Sequence, residues 1–422
     1  MGLGSILGTG IFVSIGIAAG VTGPSVIVAV ALAAAVATFN GLSSAQLAAS
    51  HPVSGGTYEY GYRYLNPTLG FTAGWMFLCA KSASAATAAL GFAGYALGAF
   101  GASMPVLRVA LAVSAVVALT LLVAGGMRRS NRANVLIVAL TLLSLCVFVA
   151  FGLRPALDGV EANLEAFFLA SDQRSEWGGF LHATALMFVA YTGYGRIATL
   201  GEEVRQPHTS IPRAIIITLA STAGIYVAVS FVAVASVGAP ELAAATEQAA
   251  APLELVARGF GLPFVAWLVA AGAVTAMLGV LLNLILGLSR VVLAMARRGD
   301  LPGPLSRIDP RRSSPRAAVG LVGTIVAALA TTGSVKTTWS FSAFTVLVYY
   351  ALTNLAALRL PPEARLYPRC VPAMGLSCCL GLAFWVDAEI WAAGLGLILL
   401  GLFWHRAMRR RRRHTASEAD ER

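Results

Sequence analysis

Two glycine-rich stretches decide the fold of this chain: Gly-Ser-Ile-Leu-Gly-Thr-Gly at residues 4–10 and Ala-Tyr-Thr-Gly-Tyr-Gly at residues 190–195. Each stretch interrupts a long apolar segment. A backbone amide or carbonyl without a partner is costly in hydrocarbon, so a weakened membrane helix is tolerated only where it lines protein or a watered cavity. The two stretches therefore predict a binding site inside the membrane. Small-residue helix packing is the alternative for the first stretch, because Gly4 and Gly8 have GxxxG spacing.

The composition around these stretches excludes a water-soluble protein. Of the 422 residues, 58% are hydrophobic and 12% are charged, whereas soluble domains carry about 25% charged residues. The formal net charge of +11 comes from basic residues in loops and at the end of the chain. This distribution favours anionic lipid headgroups as partners, and no nucleic acid is expected. The five cysteines lack metal-ligand spacing, so no metal or other cofactor is expected beyond a coupling proton.

The apolar blocks have the length of membrane helices, since about 20 residues cross about 30 Å of hydrocarbon. They predict an all-α integral membrane protein with twelve transmembrane helices, at approximately 2–20, 24–49, 68–100, 104–126, 133–152, 179–200, 210–238, 262–296, 316–334, 337–358, 369–386 and 388–405. An even number of helices places both termini on one side. The basic end at 406–414 predicts that this side is cytoplasmic, in a multi-pass protein of the inner or plasma membrane.

The two glycine-rich stretches fall in the first and sixth predicted helices. These are corresponding positions of two five-helix halves, 1–152 and 179–358, followed by accessory helices at 369–405 and a basic cytoplasmic tail at 406–422. An odd number of helices per half inverts the second half relative to the first. Paired discontinuous helices in inverted repeats are typical of the central site of secondary transporters.

Four motifs, in order along the chain, carry a family resemblance. The first is the helix-one stretch at 4–12, and the second is Pro-x-x-Gly-Gly-x-Tyr at 52–58 followed by Gly74-Trp75. The others are the helix-six stretch with the loop at 201–214, and the end of helix eight at 289–302. Together they resemble the amino acid–polyamine–organocation (APC) superfamily of permeases. The resemblance implies a LeuT-like five-plus-five inverted repeat that works by alternating access and carries amino acids.

The same resemblance implies a substrate site on both interrupted helices. Family members hold the substrate carboxylate on helix-one amides and its amino group on carbonyls of the two breaks, as expected for half-helix ends that attract opposite charges. The positions of this chain that match are Ser5, Ile6, Gly8, Thr9, Gly10, Phe188, Ala190, Tyr191 and Gly193. An aromatic lid is the functional interpretation of Phe188 and Tyr191, and helix packing is the alternative.

The chain departs from the family pattern in ways that bear on substrate and coupling. Val189 and Leu284 stand where arginine/agmatine exchangers of the family have tryptophans, so a guanidinium sandwich is not expected. Thr141 stands where some proton-coupled members have a lysine, and the inner half of helix eight lacks the adjacent Ser/Thr pair of a sodium site. A neutral substrate with proton coupling or exchange is favoured. Because Met1 lies three residues before Gly4, we expect either an upstream start site or a defective protein.

Four polar residues are candidates for coupling or gating: Lys81, Glu202, Arg290 and Asn283. Lys81 lies deep in helix three, where a cation is a proton-coupling or cation-substituting candidate, or else snorkels or satisfies carbonyls. Glu202 with Arg290 would form a cytoplasmic gate, against the alternative of a solvated carboxylate at headgroup level. Asn283, Asn40 and Asn354 are expected more often as interhelical hydrogen-bonding residues than as substrate ligands.

Two rival functions stay open. One is an amine, polyamine or other organocation permease on the same scaffold, since fold does not fix substrate. The other is an amino acid sensor that binds solute without transporting it. An enzyme is not expected, because the chain has no H-E-x-x-H or G-x-S-x-G motif and no paired carboxylates at depth. The sequence predicts no particular oligomeric state.

Overall fold

A computed structural model describes residues 3–53, 55–102, 104–126, 131–168, 175–195, 206–310 and 314–420. These residues are helical almost throughout, and the only sheet-like pairing among them is one bridge between Asp309 and Ser314. The α-helices in chain order are α1 Leu3–Ile6, α2 Thr9–Phe12, α3 Ser14–Thr22, α4 Val26–Ser50, α5 Thr57–Tyr64, α6 Pro67–Gly98, α7 Pro105–Ala124, α8 Asn131–Leu164, α9 Glu176–Tyr191, α10 Pro207–Val237, α11 Ala239–Ala249, α12 Pro252–Gly259, α13 Pro263–Arg298, α14 Arg316–Ala330, α15 Val335–Leu358, α16 Cys370–Ala383 and α17 Ala388–Asp420.

Eight stretches of the described residues are long and apolar enough to cross a membrane. The longest of them joins α3 to α4 through a turn at Gly23–Ser25. Two further apolar helices, α14 and α16, have 15 and 14 residues, which is shorter than the ~20 residues that a perpendicular span needs. The protein is therefore a multi-pass membrane protein. The total of twelve spans and the inverted repeat stay predictions.

Two helices extend beyond their predicted ends. α8 continues to Leu164 with Pro155 inside it, instead of ending near residue 152. A proline removes one helical hydrogen bond but does not force a long helix to stop. α17 continues to Asp420 through the basic segment that begins at residue 406. Arginine and alanine both have a high helix propensity, so the positive charge of this segment does not end the helix. Charge and proline mark loops only statistically.

The core is organised around α6, which packs against α13 and α15. Its middle section is rich in small residues, and Ala85, Ala86, Ala88 and Ala89 have no exposed surface. Small side chains let helix backbones approach closely, which stabilises helix pairs in a bilayer where hydrophobic burial offers little. A second set of contacts joins α10 to both α4 and α8.

A buried polar contact joins α4, α15 and α16. Asn354 donates from Nδ2 to Oδ1 of Asn40 at 2.7 Å, and Cys379 contacts the same oxygen at 3.2 Å. Both asparagines are fully buried. The structure thus gives them the interhelical role that the sequence analysis expected, rather than a place on a substrate.

Candidate functional site

The first predicted span is interrupted at Leu7 and Gly8, between α1 and α2. Gly8 has an extended backbone, with φ 176° and ψ −130°. The amides of Thr9 and Gly10 begin a new helix, so they have no intrahelical acceptor. At the other side of the interruption, the Ile6 carbonyl accepts a hydrogen bond from the Tyr226 hydroxyl at 2.8 Å.

The sixth predicted span changes its hydrogen bonding at the expected place. α9 ends at Tyr191 and is followed by a 3-10 turn at Thr192–Tyr194. The Thr192 hydroxyl donates to the Val189 carbonyl at 2.7 Å, and the Thr192 carbonyl accepts from the Tyr350 hydroxyl at 3.3 Å. The chain from residue 196 to 205 lies outside the described residues.

The two interruptions touch each other, and glycine is what allows it. A Cβ atom on Gly193 would overlap the Ser5 carbonyl, and a Cβ atom on Gly10 would lie 2.5 Å from Cβ of Ala190. Real Cβ atoms do not approach so closely. Gly193 and Gly10 therefore bring the backbones of helices one and six into contact, which any larger residue would separate.

A cavity of about 900 Å³ lies beside this contact. Six of the predicted substrate positions line it, namely Ser5, Ile6, Thr9, Gly10, Ala190 and Gly193. The candidates Lys81, Asn283 and Arg290 line it as well. Glu202 lies outside the described residues, so its proposed pairing with Arg290 stays a prediction. Among the described residues there is no cluster of side chains suited to a metal ion.

Three predicted positions do not line the cavity. Phe188 packs edge-on against Tyr350 with ring centroids 5.6 Å apart. Tyr191 donates from its hydroxyl to the Val30 carbonyl at 3.2 Å and packs against Tyr226. At Gly8 a Cβ atom would lie 2.6 Å from the Val280 side chain. All three contacts are helix packing, which was the alternative interpretation of these residues.

Lys81 reaches from α6 to the helix-six interruption. Its Nζ donates to the Thr192 hydroxyl at 2.8 Å and lies 5.9 Å from the centre of the Tyr349 ring. The side chain is 8% exposed, and among the described residues it contacts no carboxylate. Burying a cation in a membrane protein is costly, so this lysine marks the cavity as more than a packing defect.

The cavity extends to one end of the molecule, where Gly55, Gly56, Glu59 and Arg298 line it. We call this the inner end, following the predicted orientation. Arg298 pairs with Glu59 and stacks over the ring of Tyr62 at 4.2 Å. Sequence analysis had not singled out this pair, because its members lie 239 residues apart.

The opposite or outer end is closed by direct contacts between helices. The Tyr95 hydroxyl donates to the Phe12 carbonyl at 2.7 Å and accepts from the Leu253 amide at 3.2 Å. Tyr95, Phe12 and Leu253 have no exposed surface. The cavity is therefore accessible from the inner end and shut at the outer end.

Further lining residues were missed by the sequence analysis. They include Thr192, Trp339, Tyr349 and Tyr350. The adjacent tyrosines in an apolar span were a visible signal, since a buried tyrosine needs a hydrogen-bond partner. Trp339 also finds one, because its Nε1 donates to the Leu186 carbonyl at 3.0 Å.

In the part of the chain that the structure describes, several apolar spans surround a cavity with polar and apolar lining that is closed at the outer end, as is typical of membrane transporters. The model of the family described as amino acid permease matches residues 1–417. The chain belongs to the amino acid permease family, and the predicted resemblance to the APC superfamily is confirmed. The family consists of transporters and not enzymes, as expected.

The relatives are transporters too. An uncharacterised transporter of Mycobacterium tuberculosis is 40% identical over 99% of this chain and 92% of its own length. A branched-chain amino acid permease of Bacillus subtilis is 29% identical, over 91% of this chain and 83% of its own length. A methylthioribose transporter of Bacillus subtilis is 26% identical, over 93% of this chain and 89% of its own length.

Proposed function

We propose that this protein is a secondary active transporter that moves amino acids across the cytoplasmic membrane by alternating access. The observation that carries the proposal is the cavity beside two touching helix interruptions, which is closed at the outer end and extends to the inner end. The amino acid permease family and the relative named as a branched-chain amino acid permease support an amino acid substrate.

A zwitterion fits the dipoles at the interruptions. The amides of Thr9 and Gly10 lie at the start of α2, where a helix end carries partial positive charge and attracts a carboxylate. Carbonyls at the ends of α1 and α9 carry partial negative charge and attract an ammonium group. The backbone thus binds the part that all α-amino acids share.

The cavity walls favour a neutral side chain on the substrate. Val189, Val280 and Leu284 contribute apolar surface. Lys81 also lines the cavity, and its protonated form would repel a cationic side chain. A small or branched apolar amino acid meets both conditions.

Lys81 is also the candidate for proton coupling. It is the buried ionisable group that connects α6 with the helix-six interruption, through Thr192. Gain or loss of its proton would change the charge at the point where the two interrupted helices meet. If Lys81 is not a coupling group, exchange of one amino acid for another is the alternative mode.

The topology that accompanies this function has twelve spans in two inverted halves, with both termini cytoplasmic. The basic residues at the end of α17 and at the end of α13 support this orientation, since cytoplasmic loops are rich in lysine and arginine.

The test is uptake into proteoliposomes, with and without a pH gradient, over a panel of neutral, cationic and acidic amino acids, polyamines and methylthioribose. Accumulation or exchange of neutral amino acids is expected. Transport of polyamines or methylthioribose alone would contradict the proposed amino acid substrate. Binding of an amino acid without any transport would indicate a sensor instead of a transporter.

A glycine pair supplies the matched variants. Gly193→Ala places a Cβ atom against the Ser5 carbonyl, whereas Gly224→Ala meets no atom within 4 Å. We expect Gly193→Ala to lower uptake more than tenfold, and Gly224→Ala to leave it unchanged. Equal activity of the two variants would show that contact between the interruptions is not needed for transport.

A further inference from the structure

The short helix α12 packs on the Tyr95–Phe12 contact that closes the outer end. A left-handed residue, Ala250 with φ 57°, separates α12 from α11. The first turn of α12 docks on Tyr95 of α6 through the Leu253 amide, and the same tyrosine bonds to Phe12 of α2. α12 therefore connects the outer end of α6 to the second half of the interrupted first span.

Glu254 lies next in sequence and is buried in this docking surface, with 3% of its surface exposed. Its Oε1 accepts from Nη2 of Arg258 at 2.8 Å, and that arginine is half exposed. Its Oε2 is buried and has no hydrogen-bond partner among the described residues. Gly98 leaves room for that oxygen, because a Cβ atom there would lie 2.6 Å from it. The arginine also donates to the Gly98 carbonyl, which fixes α12 to the end of α6.

The neighbouring elements offer Glu254 no other charged partner among the described residues. Tyr95 faces it from α6, and its hydroxyl is already engaged twice. The outer half of α13, from residue 263 to 279, has no ionisable side chain. On α11, Glu247 pairs instead with Lys336 at 3.3 Å, and the outer cation Arg108 donates to the carbonyls of Gln248 and Gly333. Within the described ranges, Arg258 is thus the one charge that contacts this carboxyl.

We propose that Glu254 is a proton-binding site of the outer gate, and that its protonation stabilises the arrangement in which α12 closes the outer end of the cavity. The proposal rests on the alternating-access function, because it requires that this end also opens.

The direction of the effect follows from proton linkage. Burial raises the pKa of the Glu254 carboxyl above its usual range, and the hydrogen bond and charge of Arg258 offset only part of this. Opening the outer end would return the carboxyl to water and to an ordinary pKa of about 4.3. A proton therefore binds more tightly to the closed arrangement, so protons favour closure. This stabilisation of the closed arrangement is complete below the ordinary pKa of the carboxyl. It is lost as the pH rises through the raised pKa that the carboxyl has in the closed arrangement.

The test measures the gate directly and needs no substrate. Spin labels at Leu255 of α12 and Val106 of α7, which are 38% and 82% exposed, report the distance across the outer end. The measurement is made in lipid nanodiscs, on protein whose native cysteines are replaced, at pH values from below the ordinary glutamate pKa of about 4.3 to neutral. We expect the short, closed distance to gain population as the pH falls. The ratio of closed to open would change by up to about tenfold for each unit between the two pKa values.

Three variants decide the outcome. Glu254→Gln is neutral at every pH, so it should stay in the closed population throughout, whereas the control Glu247→Gln on the neighbouring helix should titrate like the wild type. Arg258→Gln leaves the carboxyl in place without its partner, so its transition should move to higher pH. This variant also decides the matter if Glu254→Gln does not yield folded protein.

A wild type whose distances do not depend on pH, or that opens as the pH falls, overturns the proposal. The same holds if Glu254→Gln titrates like the wild type, or if the Arg258→Gln transition does not move. The distance measurement tests the gate, and the uptake panel tests the transport function. Their outcomes are independent, because a pH-dependent distance can be recorded in a protein that transports none of the solutes offered.

Discussion

Two buried carboxylates, Asp300 at the inner side of the molecule and Glu254 at the outer side, are paired differently. Asp300 at the inner end accepts hydrogen bonds from the hydroxyls of Tyr58 at 2.7 Å and Tyr62 at 2.6 Å. Its other oxygen lies 3.4 Å from Nδ1 of His405 on α17. Glu254 has one oxygen paired and one without a hydrogen-bond partner among the described residues. Asp300 therefore joins several elements through its hydrogen bonds, whereas Glu254 keeps one buried oxygen without a hydrogen bond among the described residues.

The inner carboxylate joins three elements that are far apart in sequence. It connects α5, the end of α13 and the last apolar turns of α17, where the Trp404 indole donates to the Asp300 carbonyl at 3.0 Å. Burial and the hydrogen bond to Asp300 raise the pKa of Tyr58 and of Tyr62, so both phenols stay protonated donors. The contacts of Asp300 thus fix the elements around the inner opening. Glu59 of α5 and Arg298 line the opening itself.

The largest effect is expected from Asp300→Ala. This change leaves the buried Tyr58 hydroxyl and the half-buried Tyr62 hydroxyl without an acceptor, and should lower the free energy of unfolding by about 3 kcal/mol. Thermal unfolding in detergent measures it. The control Asp300→Asn keeps an acceptor oxygen and should cost clearly less. Equal midpoints for the alanine variant and the wild type would show that the inner carboxylate does not hold the three elements together.

A smaller effect is expected from Tyr95→Phe at the outer end. The change removes both the bond to Phe12 and the bond from Leu253, which we expect to weaken closure by about 1.4 kcal/mol, or about tenfold in the closed-to-open ratio. The distance between labels at Leu255 and Val106 measures that ratio. Tyr64→Phe, which removes a bond to Ser50 at the inner side, is the matched control. A similar shift in both variants would contradict an outer closure built on Tyr95.

The smallest effect is expected from Arg298→Lys. Lysine keeps the charge that pairs with Glu59 but loses the planar stack on Tyr62, at a cost of about 0.5–1 kcal/mol for an exposed cation–π contact. Uptake should change by less than about fivefold. The control Arg316→Lys alters an arginine that pairs with Asp309 without a tyrosine stack. Complete loss of uptake in Arg298→Lys, with normal uptake in the control, would contradict this small effect. It would indicate that Arg298 takes part in opening and closing the inner end, unlike the structural contacts of Asp300.

The sequence located much of the candidate site because its signals are local. The interruption at residues 7–8 and the turn at residues 192–194 lie within the two glycine-rich stretches. Glycine permits the close backbone approach wherever it occurs, and a lysine in an apolar run is visible without coordinates. For this reason Gly10 and Gly193 could be assigned to one site in advance, and Lys81 to the membrane interior; the structure shows that all three line one cavity. The substrate roles of these residues stay predictions.

The sequence by itself determined the helical class, the membrane location and the two weak points, because hydropathy and glycine spacing act over one or two helical turns. Only the tertiary structure decided which ends of the cavity are closed and by what. Asp300 meets tyrosines more than 230 residues away, and Tyr95 meets Leu253 at a separation of 158. Such pairs depend on how the helices pack, and the burial that gives Glu254 its sensitivity to protons exists only once α12 has docked.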